Sequence, residues 1–389
     1  MKNIFLVFVA FFGCLALTYA QGHTSTVTST GNNNVVIVAQ SGGNPVQATV
    51  TQVGDDNDAK TVQENDDEGG LIAVQQQTGS NNKADIYQIG DRWGTSNASQ
   101  TQNGEDNKAY IEQLNRAETA TQIQTGDDNN AFTHQNGNRF GSAVTTQSGD
   151  ENYGYIYQYA PRAIGTIVSI GNGNSASIYQ DAYQRAFGDI LQIGDDNEAN
   201  ITQNSLSTLS NQHYAEIEQT GDENLTEVDQ AGGSADDMQH YATVLQEGSF
   251  NIAQINQYDD NNIVVLHQNG NSNLFRLAQS GNDNVVGAIG NAFTQDGDGN
   301  KFAGLINVAG LLVFDEAIFG TQANGATLHL DSYQTGNNNV IGLHQEDDDL
   351  GLIQQMGDGN EALLWQAGGA NYSEVFQTGN GNSTSVYQN

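Results

Sequence analysis

The chain has 389 residues and a formal net charge of −35, with 11 lysines and arginines against 46 aspartates and glutamates. This charge excludes nucleic acid and anionic membrane surfaces as ordinary partners, because both would repel the chain. A hydrophobic content of 37% would suit a disordered chain, but the apolar residues recur at fixed positions, which predicts a folded repeat array instead.

The first 20 residues are predicted to be a secretory signal peptide. Lys2 supplies a positive charge, residues 4–17 form an apolar run too short to span a bilayer, and residues 18–20 offer a cleavage site. The only cysteine, Cys14, lies in this segment, so the predicted mature chain, residues 21–389, has no disulfide. A lipid anchor on Cys14 is disfavoured because the apolar run continues past it. No later stretch predicts membrane insertion.

After a leader rich in Thr and Ser, the chain repeats one skeleton, which is clearest at residues 77–113. A Gln is followed by Gly two residues on, Asn at five, Ala at seven, an aliphatic residue at nine and a second Gln at eleven. The Gln pairs are Gln77/Gln88, Gln102/Gln113, Gln124/Gln135, Gln147/Gln158, Gln192/Gln203, Gln219/Gln230, Gln246/Gln257, Gln355/Gln366 and Gln377/Gln388. The Asn position is filled by Asn82, Asn107, Asn129, Asn152, Asn197, Asn224, Asn251, Asn360 and Asn382. The Gly position is filled by Gly79, Gly104, Gly126, Gly149, Gly171, Gly194 and Gly221.

The spacing within one unit predicts two strands joined by a tight turn. Alternation places the Ala, the aliphatic residue and the second Gln on one strand face. Gly and Asn, which tolerate positive φ, are predicted to form the turn. Such a unit cannot bury its own inner face, whereas stacked copies bury a continuous strip. We therefore predict an all-β fold, a β-solenoid of about 15 stacked strand-turn-strand units, here called rungs.

The Gln and Asn residues are predicted to form ladders in which each amide bonds to the amides above and below. A buried polar group without a partner costs about 1–3 kcal/mol, which favours identical residues at identical positions of successive rungs. The last rung, ending at Gln388, is as regular as the inner ones, and no capping element is evident from the sequence. Unpaired strand edges are templates for another chain, so the pattern predicts end-to-end self-assembly, with copies of the chain as its partners.

Residues 290–327 depart from the skeleton and include the most apolar run of the predicted mature chain, at residues 309–320. Three interpretations are open for this region. It is a diverged rung with a larger apolar core, a sticky patch for lateral association, or an inserted short helix.

The turns are acidic, with Asp127 and Asp150 on neighbouring rungs and Asp195 and Asp222 on another neighbouring pair. Two charges about 4.8 Å apart repel by roughly 1 kcal/mol even in water, so we interpret these residues as solvated charges that delay aggregation before export. The alternative is a weak Ca²⁺ site or pH-gated assembly on the same four aspartates. No metal site or cofactor is predicted beyond these weak candidates.

The residue before the second Gln is predicted to point outward and is often aromatic, as at Tyr157 and Tyr179 on adjacent rungs. Aromatic residues favour strands for ordinary packing reasons. The alternative interpretation of this column is a stripe for lateral association or glycan binding.

The skeleton Gln-x-Gly-x-x-Asn-x-Ala-x-x-x-Gln, preceded by a strand rich in Ser and Ala, resembles the curlin repeat of curli fibre subunits. The resemblance covers nearly the whole predicted mature chain. It implies a secreted functional amyloid on the bacterial surface that serves biofilm matrix and adhesion. It also implies a nucleator subunit that starts fibres and a dedicated outer-membrane export pore. By the same resemblance, the Gln and Asn positions named above correspond to the stacking residues of the family.

Two other function classes compete with that of a fibre subunit. An enzyme needs acids and bases that converge in a cleft, whereas the carboxylates here recur regularly along the chain, so no catalytic residue is predicted. A monomeric acidic β-solenoid that binds Ca²⁺, a glycan or an ice-type lattice is the remaining alternative. An ice-type surface requires rows of outward Thr, and in the sequence the Thr residues look scattered.

Overall fold

The structure is a computed structural model that describes residues 4–9, 14–19, 22–65, 69–90, 94–114, 117–136, 140–182, 185–205, 212–232, 239–288, 290–308 and 311–389. Residues 1–3, 10–13 and 20 of the predicted signal peptide lie outside this set, and its assignment stays a prediction. The described residues form strands and turns; none of them belongs to a helix that is long and apolar enough to cross a membrane. The chain divides into two units, Met1–Ala186 and Phe187–Asn389.

Unit 1 is built from consecutive short strands. They are β1 Ile4–Val9, β2 Cys14–Tyr19, β3 Thr24–Thr30, β4 Val35–Gly42, β5 Val46–Val53, β6 Asp58–Asn65, β7 Gly70–Ser80, β8 Lys83–Gly90, β9 Thr95–Glu105, β10 Lys108–Gln113, β11 Thr119–Thr125, β12 Asn130–Gln135, β13 Ser142–Ser148, β14 Tyr153–Gln158, β15 Ile164–Ile170 and β16 Ser175–Ala182.

Unit 2 continues with strands of similar length and some shorter ones. They are β17 Ala186–Ile193, which begins at the last residue of unit 1, β18 Glu198–Ser205, β19 His213–Thr220, β20 Leu225–Gly232, β21 Tyr241–Glu247, β22 Ile252–Asp259, β23 Ile263–Asn269, β24 Leu274–Ser280, β25 Val285–Val286, β26 Phe293–Asp296, β27 Lys301–Val308, β28 Leu311–Asp315, β29 Gly320–Ala323, β30 Thr327–Leu328, β31 Tyr333–Thr335, β32 Val340–Gln345, β33 Leu350–Met356, β34 Glu361–Gln366, β35 Tyr372–Thr378 and β36 Ser383–Gln388.

From β3 to β24, the strands of each unit alternate along the chain between two parallel sheets. Sheet 1 contains the strands that end near the first Gln of the skeleton, and sheet 2 contains those that end near the second. In unit 1 every strand from β3 to β14 pairs with the strand two places further along, and like residues face each other, for example Ala84 with Ala109 and Gln88 with Gln113. Counted over both units, the stacked parallel strands form a β-solenoid of about 14 turns, which confirms the predicted all-β solenoid.

Ala and aliphatic residues fill the interior of each rung, as the alternation predicts. In unit 1, Ile86 and Ile111 are fully buried and pack with Ala73, Ala98 and Ala120 across the two sheets. Buried area of this kind stabilises the fold by about 25 cal/mol per Å² of apolar surface.

The irregular region predicted at residues 290–327 contains a β-hairpin in unit 2. Strand β27 pairs with β24 at its start and then turns antiparallel to β28, and β29 resumes the pairing with β24. Leu305 and Leu312 of the hairpin pack on Leu363 of β34, together with the partly buried Phe314 and Trp365. The described residues of this region contain no helix, so the predicted inserted helix is absent from them.

The larger apolar core predicted for the same region is present beside the hairpin. The rings of Phe275, Phe293 and Phe302 are fully buried and lie 4.6–5.8 Å apart between centroids. Residues 309–310 lie outside the described residues, so the apolar run is only partly visible.

Four outward columns of sheet 1 in unit 1 form a surface that we call the uncharged face. The columns begin at Thr24, Thr26, Thr28 and Thr30 of β3 and continue through β5, β7, β9, β11, β13 and β15. Their members after β3 are Gln47, Thr49, Thr51, Val53, Ile72, Val74, Gln76, Thr78, Asn97, Ser99, Thr101, Asn103, Thr119, Thr121, Ile123, Thr125, Ser142, Val144, Thr146, Ser148, Ile164, Thr166, Val168 and Ile170.

Candidate assembly surface

One rung of unit 1 shows how the skeleton residues are held. The Nε2 of Gln77 donates to the carbonyl of Asn82 at 2.9 Å, which closes the turn, and to Oε1 of Gln102 in the next rung at 2.9 Å. A third bond, at 3.0 Å, goes to the carbonyl of Asp58 in the preceding rung. A single buried amide therefore ties its own turn to the rungs on both sides.

Both Gln positions form continuous ladders within each unit. Sheet 1 contains the ladders Gln52–Gln77–Gln102–Gln124–Gln147 in unit 1 and Gln192–Gln219–Gln246–Gln268–Gln295–Gln334–Gln355–Gln377 in unit 2, with Nε2–Oε1 distances of 2.8–3.0 Å. Sheet 2 contains Gln40–Gln63–Gln88–Gln113–Gln135–Gln158–Gln180 in unit 1 and Gln203–Gln230–Gln257–Gln279–Gln322–Gln345–Gln366–Gln388 in unit 2, at 2.7–3.0 Å. In every one of these bonds the donor lies in the earlier rung and the acceptor in the later one.

The Asn residues of the skeleton form a ladder with the opposite direction. In unit 1, Nδ2 of Asn82 donates back to Oδ1 of Asn57 at 3.0 Å and forward to the carbonyl of Gly104 at 2.7 Å. The same back-donation links Asn107, Asn129, Asn152 and Asn174 in unit 1, and Asn224, Asn251, Asn273, Asn339, Asn360 and Asn382 in unit 2. Asn197, the first of unit 2, accepts from Asn224.

The Gly column requires glycine for two reasons. Gly79 has φ of 112°, and a Cβ added to it would lie 2.0 Å from the carbonyl oxygen of Gly104 in the next rung. The other predicted turn glycines, Gly104, Gly126, Gly149, Gly171, Gly194 and Gly221, all have φ between 110° and 136°. The skeleton Asn does not itself have positive φ, because positive φ falls on the residue before it, such as Asn81 and Asp106. The Asn side chain is buried instead, where its amide joins the ladder.

The acidic turn residues do more than the sequence suggested. Oδ1 of Asp150 accepts the backbone N–H of Asp127 at 2.9 Å, and Oδ1 of Asp222 accepts that of Asp195 at 2.9 Å. Asn and Ser take the same place on other rungs, as Asn172 does for Asp150. These carboxylates are therefore rung-to-rung acceptors as well as charges. In the described parts of the chain no three His, Cys, Asp or Glu side chains come together as a group that holds a metal.

Two buried polar features were missed in the sequence. Gln75, Gln100 and Gln122 form a third ladder in sheet 1, with distances of 3.1 Å, which the Gln-x-Gln pattern at these positions could have revealed. In unit 2, the rings of His213 and His240 stack with centroids 5.1 Å apart at the start of β19 and just before β21. Burial lowers the pKa of His213 to about 3 and that of His240 to about 4, so both imidazoles are neutral at pH 7.

Outward aromatic residues stack along the rungs as the register predicts. The rings of Tyr157 and Tyr179 lie 4.8 Å apart and almost parallel, and His134 extends the stack at 4.9 Å. His134 also bonds to the carboxylate of Glu112 at 2.7 Å. In unit 2, Phe187, Tyr214 and Tyr241 form a second stack.

The edges of the ladders differ from their interiors. Gln388 is only half-buried and Asn382 is exposed, whereas the corresponding inner residues are buried. The Nε2 of Gln388 donates to the carbonyl of Tyr372 at 3.1 Å, and no described residue continues the ladder beyond it. At the first rung of unit 1, the Oε1 of Gln40 is buried and has no hydrogen-bond partner among the described residues. The sheet 2 ladder of unit 1 thus begins at an acceptor edge, Oε1 of Gln40, and that of unit 2 ends at a donor edge, Nε2 of Gln388.

Comparison with known protein families gives a match at the C-terminal part of the chain. The model of the curlin associated repeat family matches residues 357–389. This segment contains Asn360, Gln366, Gln377, Asn382 and Gln388, whose ladder bonds are described above. The match confirms the resemblance over these residues. No curated protein matches the chain.

Proposed function

Because residues 357–389 carry a curlin associated repeat, we propose that this chain is a secreted structural subunit that stacks end to end with its own copies. The product is a curli-like extracellular fibre on the bacterial surface that contributes to biofilm matrix and adhesion. The repeat and the β-solenoid favour a structural over a catalytic role.

The in-register amide ladder is the observation that carries this proposal. Each inner rung accepts amide protons from the rung before it and donates to the rung after it, at the same positions and nearly the same distances. A rung from another copy presents the same groups as a neighbour within the chain. Stacking between copies therefore needs no contact that the chain does not already make.

The two ladder edges fit each other. In every inner rung of sheet 2, the position of Gln40 Oε1 receives an amide N–H from a Gln of the preceding rung. Its register partner is Thr18, which belongs to the predicted signal peptide and is absent from the predicted mature chain. We propose that Nε2 of Gln388 in a second copy supplies the donor that Oε1 of Gln40 lacks. The joint is then directional, with the Gln388 edge of one copy on the Gln40 edge of the next.

A nucleator subunit and an outer-membrane export pore are the other partners in this proposal. Only the family resemblance supports them.

The proposal is tested with the predicted mature chain, residues 21–389, diluted from denaturant and followed by electron microscopy and amyloid-dye fluorescence. Unbranched fibres are expected above a critical concentration. Gln388→Leu and Gln40→Leu should each raise that concentration by about tenfold, since each leaves one buried polar group of the joint unpaired at a cost of about 1–3 kcal/mol.

The double variant and a neighbouring residue provide the controls. Combining Gln40→Leu with Gln388→Leu places two apolar groups opposite each other and should restore part of the loss, because removing both partners of a hydrogen bond is nearly neutral. Tyr387→Phe, one residue from the joint, should behave like the parent. Monomers that persist for days at high concentration in size-exclusion chromatography would contradict the proposal, and so would single variants with an unchanged critical concentration.

A further inference from the structure

The uncharged face is unusual for this chain. The chain has 15% charged residues and a net charge of −35, yet none of the four outward columns on β3, β5, β7, β9, β11, β13 and β15 carries a charge. The sequence does not show this, because the members of a column lie more than 20 residues apart and only the register brings them together. Thr residues that look scattered along the chain therefore become neighbours.

Other outward surfaces of the described strands are charged, so the fold itself does not require an uncharged one. Sheet 2 of unit 1 presents Lys60, Lys83 and Asp85 outward. Sheet 1 of unit 2 presents Asp189 and Glu216 outward.

The chemistry of the uncharged face suits close packing against another sheet. Val53, Val74 and Ile170 are 45%, 37% and 45% exposed, which is a large exposure for β-branched apolar side chains. Thr and Ser fill most of the remaining positions and present methyl or methylene groups beside hydroxyls. Exposed apolar side chains that share one uncharged face are typical of an interaction site.

We propose that the uncharged face is a self-docking surface, through which two copies of the chain pair side by side. Seven strands about 4.8 Å apart and four columns about 6.7 Å apart give a surface of about 30 Å by about 25 Å, or roughly 750 Å². A standard stable interface buries about 800 Å² on each partner, so the area is sufficient.

The net charge of the chain favours a second copy of it as the partner that binds the uncharged face. Copies of so acidic a chain repel each other on most approaches, and on this face alone among the sheet faces described above two copies meet without placing any charge opposite another. Pairing of identical faces is isologous, so a residue at the centre of the face meets its own counterpart across the two-fold axis. Ser99 lies in β9, the fourth of the seven strands, and in one of the two middle columns, so it lies beside that centre.

This contact is lateral and separate from the end-to-end joint of the proposed function. Fibres that remain single would refute the lateral contact alone, whereas a failure to form any fibre would refute the proposed function.

The first test places a charge at the centre of the face. Ser99→Lys and Ser99→Glu change the net charge in opposite directions, and both should reduce the fraction of paired filaments by at least about tenfold, because like charges then face each other across the two-fold axis. Critical concentration and dye binding should stay as in the parent. Ser177→Lys, on an outward position of sheet 2 in β16, is the matched control and should leave pairing intact. Filament pairs are counted by electron microscopy, with mass per length as the second measure.

The second test is covalent. The predicted mature chain has no cysteine, so Ser99→Cys introduces a single thiol at the centre of the face. Mild oxidation should give disulfide-linked dimers, in which two thiols lose their protons and two electrons to the added oxidant. Lys108→Cys, exposed on sheet 2, should give few.

Three results would overturn the inference. One is pairing that survives both charged variants at Ser99. Another is equal cross-linking of the two cysteine variants. The third is a parent chain that stays unpaired but binds ice or an insoluble polysaccharide, with Ser99→Lys abolishing that binding, since the occupant would then be an ordered lattice.

Discussion

Gln102 shows what one buried residue does in this chain. Its Nε2 donates to Oε1 of Gln124 at 2.9 Å and to the carbonyl of Lys83 at 3.0 Å, and its Oε1 accepts from Gln77 at 2.9 Å. An apolar residue of the same size would fill the space but leave Oε1 of Gln124 without its donor and Nε2 of Gln77 without its forward acceptor. The interior therefore depends on amide groups as much as on methyl groups.

Gln102→Leu should lower the free energy of unfolding of the unassembled chain by about 2 kcal/mol or more, since Oε1 of Gln124 loses its donor and Nε2 of Gln77 loses its forward acceptor. The measurement is urea unfolding followed by circular dichroism. Asn103→Leu is the control, because Asn103 is exposed on the neighbouring position. Equal loss in both variants would show that the ladder bond is not what stabilises the rung.

The buried imidazoles of unit 2 predict a pH dependence. Above pH 6.5 His213 and His240 are neutral in both the folded and the unfolded chain. Between pH 6.5 and about 4 the unfolded chain binds protons that the folded chain excludes, so stability falls as the pH drops, by at most about 1.4 kcal/mol per pH unit for each ring. The carboxylate of Asp259 favours the charged form of His240 and reduces the effect there.

The double variant His213→Asn, His240→Asn tests this dependence. Asn262 and Asn284 take the same column on the following rungs and bond to each other at 2.8 Å, so Asn is compatible with the site. The difference in urea midpoint between pH 7 and pH 5 should be smaller in the double variant than in the parent. An identical difference would mean that other groups cause the acid sensitivity.

Most ladder positions could be predicted from the sequence, because the Gln and Asn spacing repeats strictly and amide stacking has one geometry. The sequence could not show that Asp106, and not Asn107, has positive φ, since Asp and Asn are both common in turns. Only the backbone of the structure assigns the conformation. The stacking of His213 on His240 could not be predicted either, because the two residues lie in different rungs that follow loops of different length.

At the scale of the element, the tight turn is the most constrained part of a rung. The carbonyl of Gly149 lies 2.2 Å from the place where a Cβ on Gly126 would be, and Gly126 has φ of 110°. Backbone therefore contacts backbone along this column. The hydrogen bond from Asn129 to the carbonyl of Gly149, at 2.7 Å, depends on that approach.

Gly126→Ala should lower the melting temperature and reduce hydrogen-exchange protection of its turn, at a cost of about 3 kcal/mol from the positive φ and the displaced carbonyl. Gly173→Asn is the matched control, since Gly173 has φ of 66°, close to the 56° of Asp128 in the same column. Its effect should stay within about 0.5 kcal/mol. If the two variants are equally stable, the close approach does not constrain this turn.

The hairpin of β27 and β28 shows where element prediction failed. By composition its apolar run is compatible with a diverged rung, a sticky patch or an inserted helix. In the structure Leu305 packs over the small residue Gly342, where a Cβ would lie 2.2 Å from Leu305 Cδ2. The surface on which Leu305 packs belongs to later rungs, so no pattern within residues 290–327 could indicate it.

For the whole molecule, the sequence predicted about 15 turns and the structure has about 14. The class of fold followed from the period alone, because one unit of this length cannot bury itself. The distribution of charge could not be predicted in the same way. It depends on which residues share a column, and therefore on loop lengths that set the register.

Within the two units, the distance along the chain between bonded Gln residues ranges from 21 to 27 residues, with exceptions of 39 and 43 in the irregular region of unit 2. The ladder bonds that span those exceptions are still 2.8–2.9 Å long. Loops and, in the irregular region, the β27–β28 hairpin contain the extra residues, and the Gln ladder continues past them. A rung can thus be duplicated or deleted as a whole, and a long peptide can be inserted between two rungs, without redesign of the remaining interior. Copy number and loop content are consequently free to vary in such a chain, while the spacing from Gln to Asn within a rung is not.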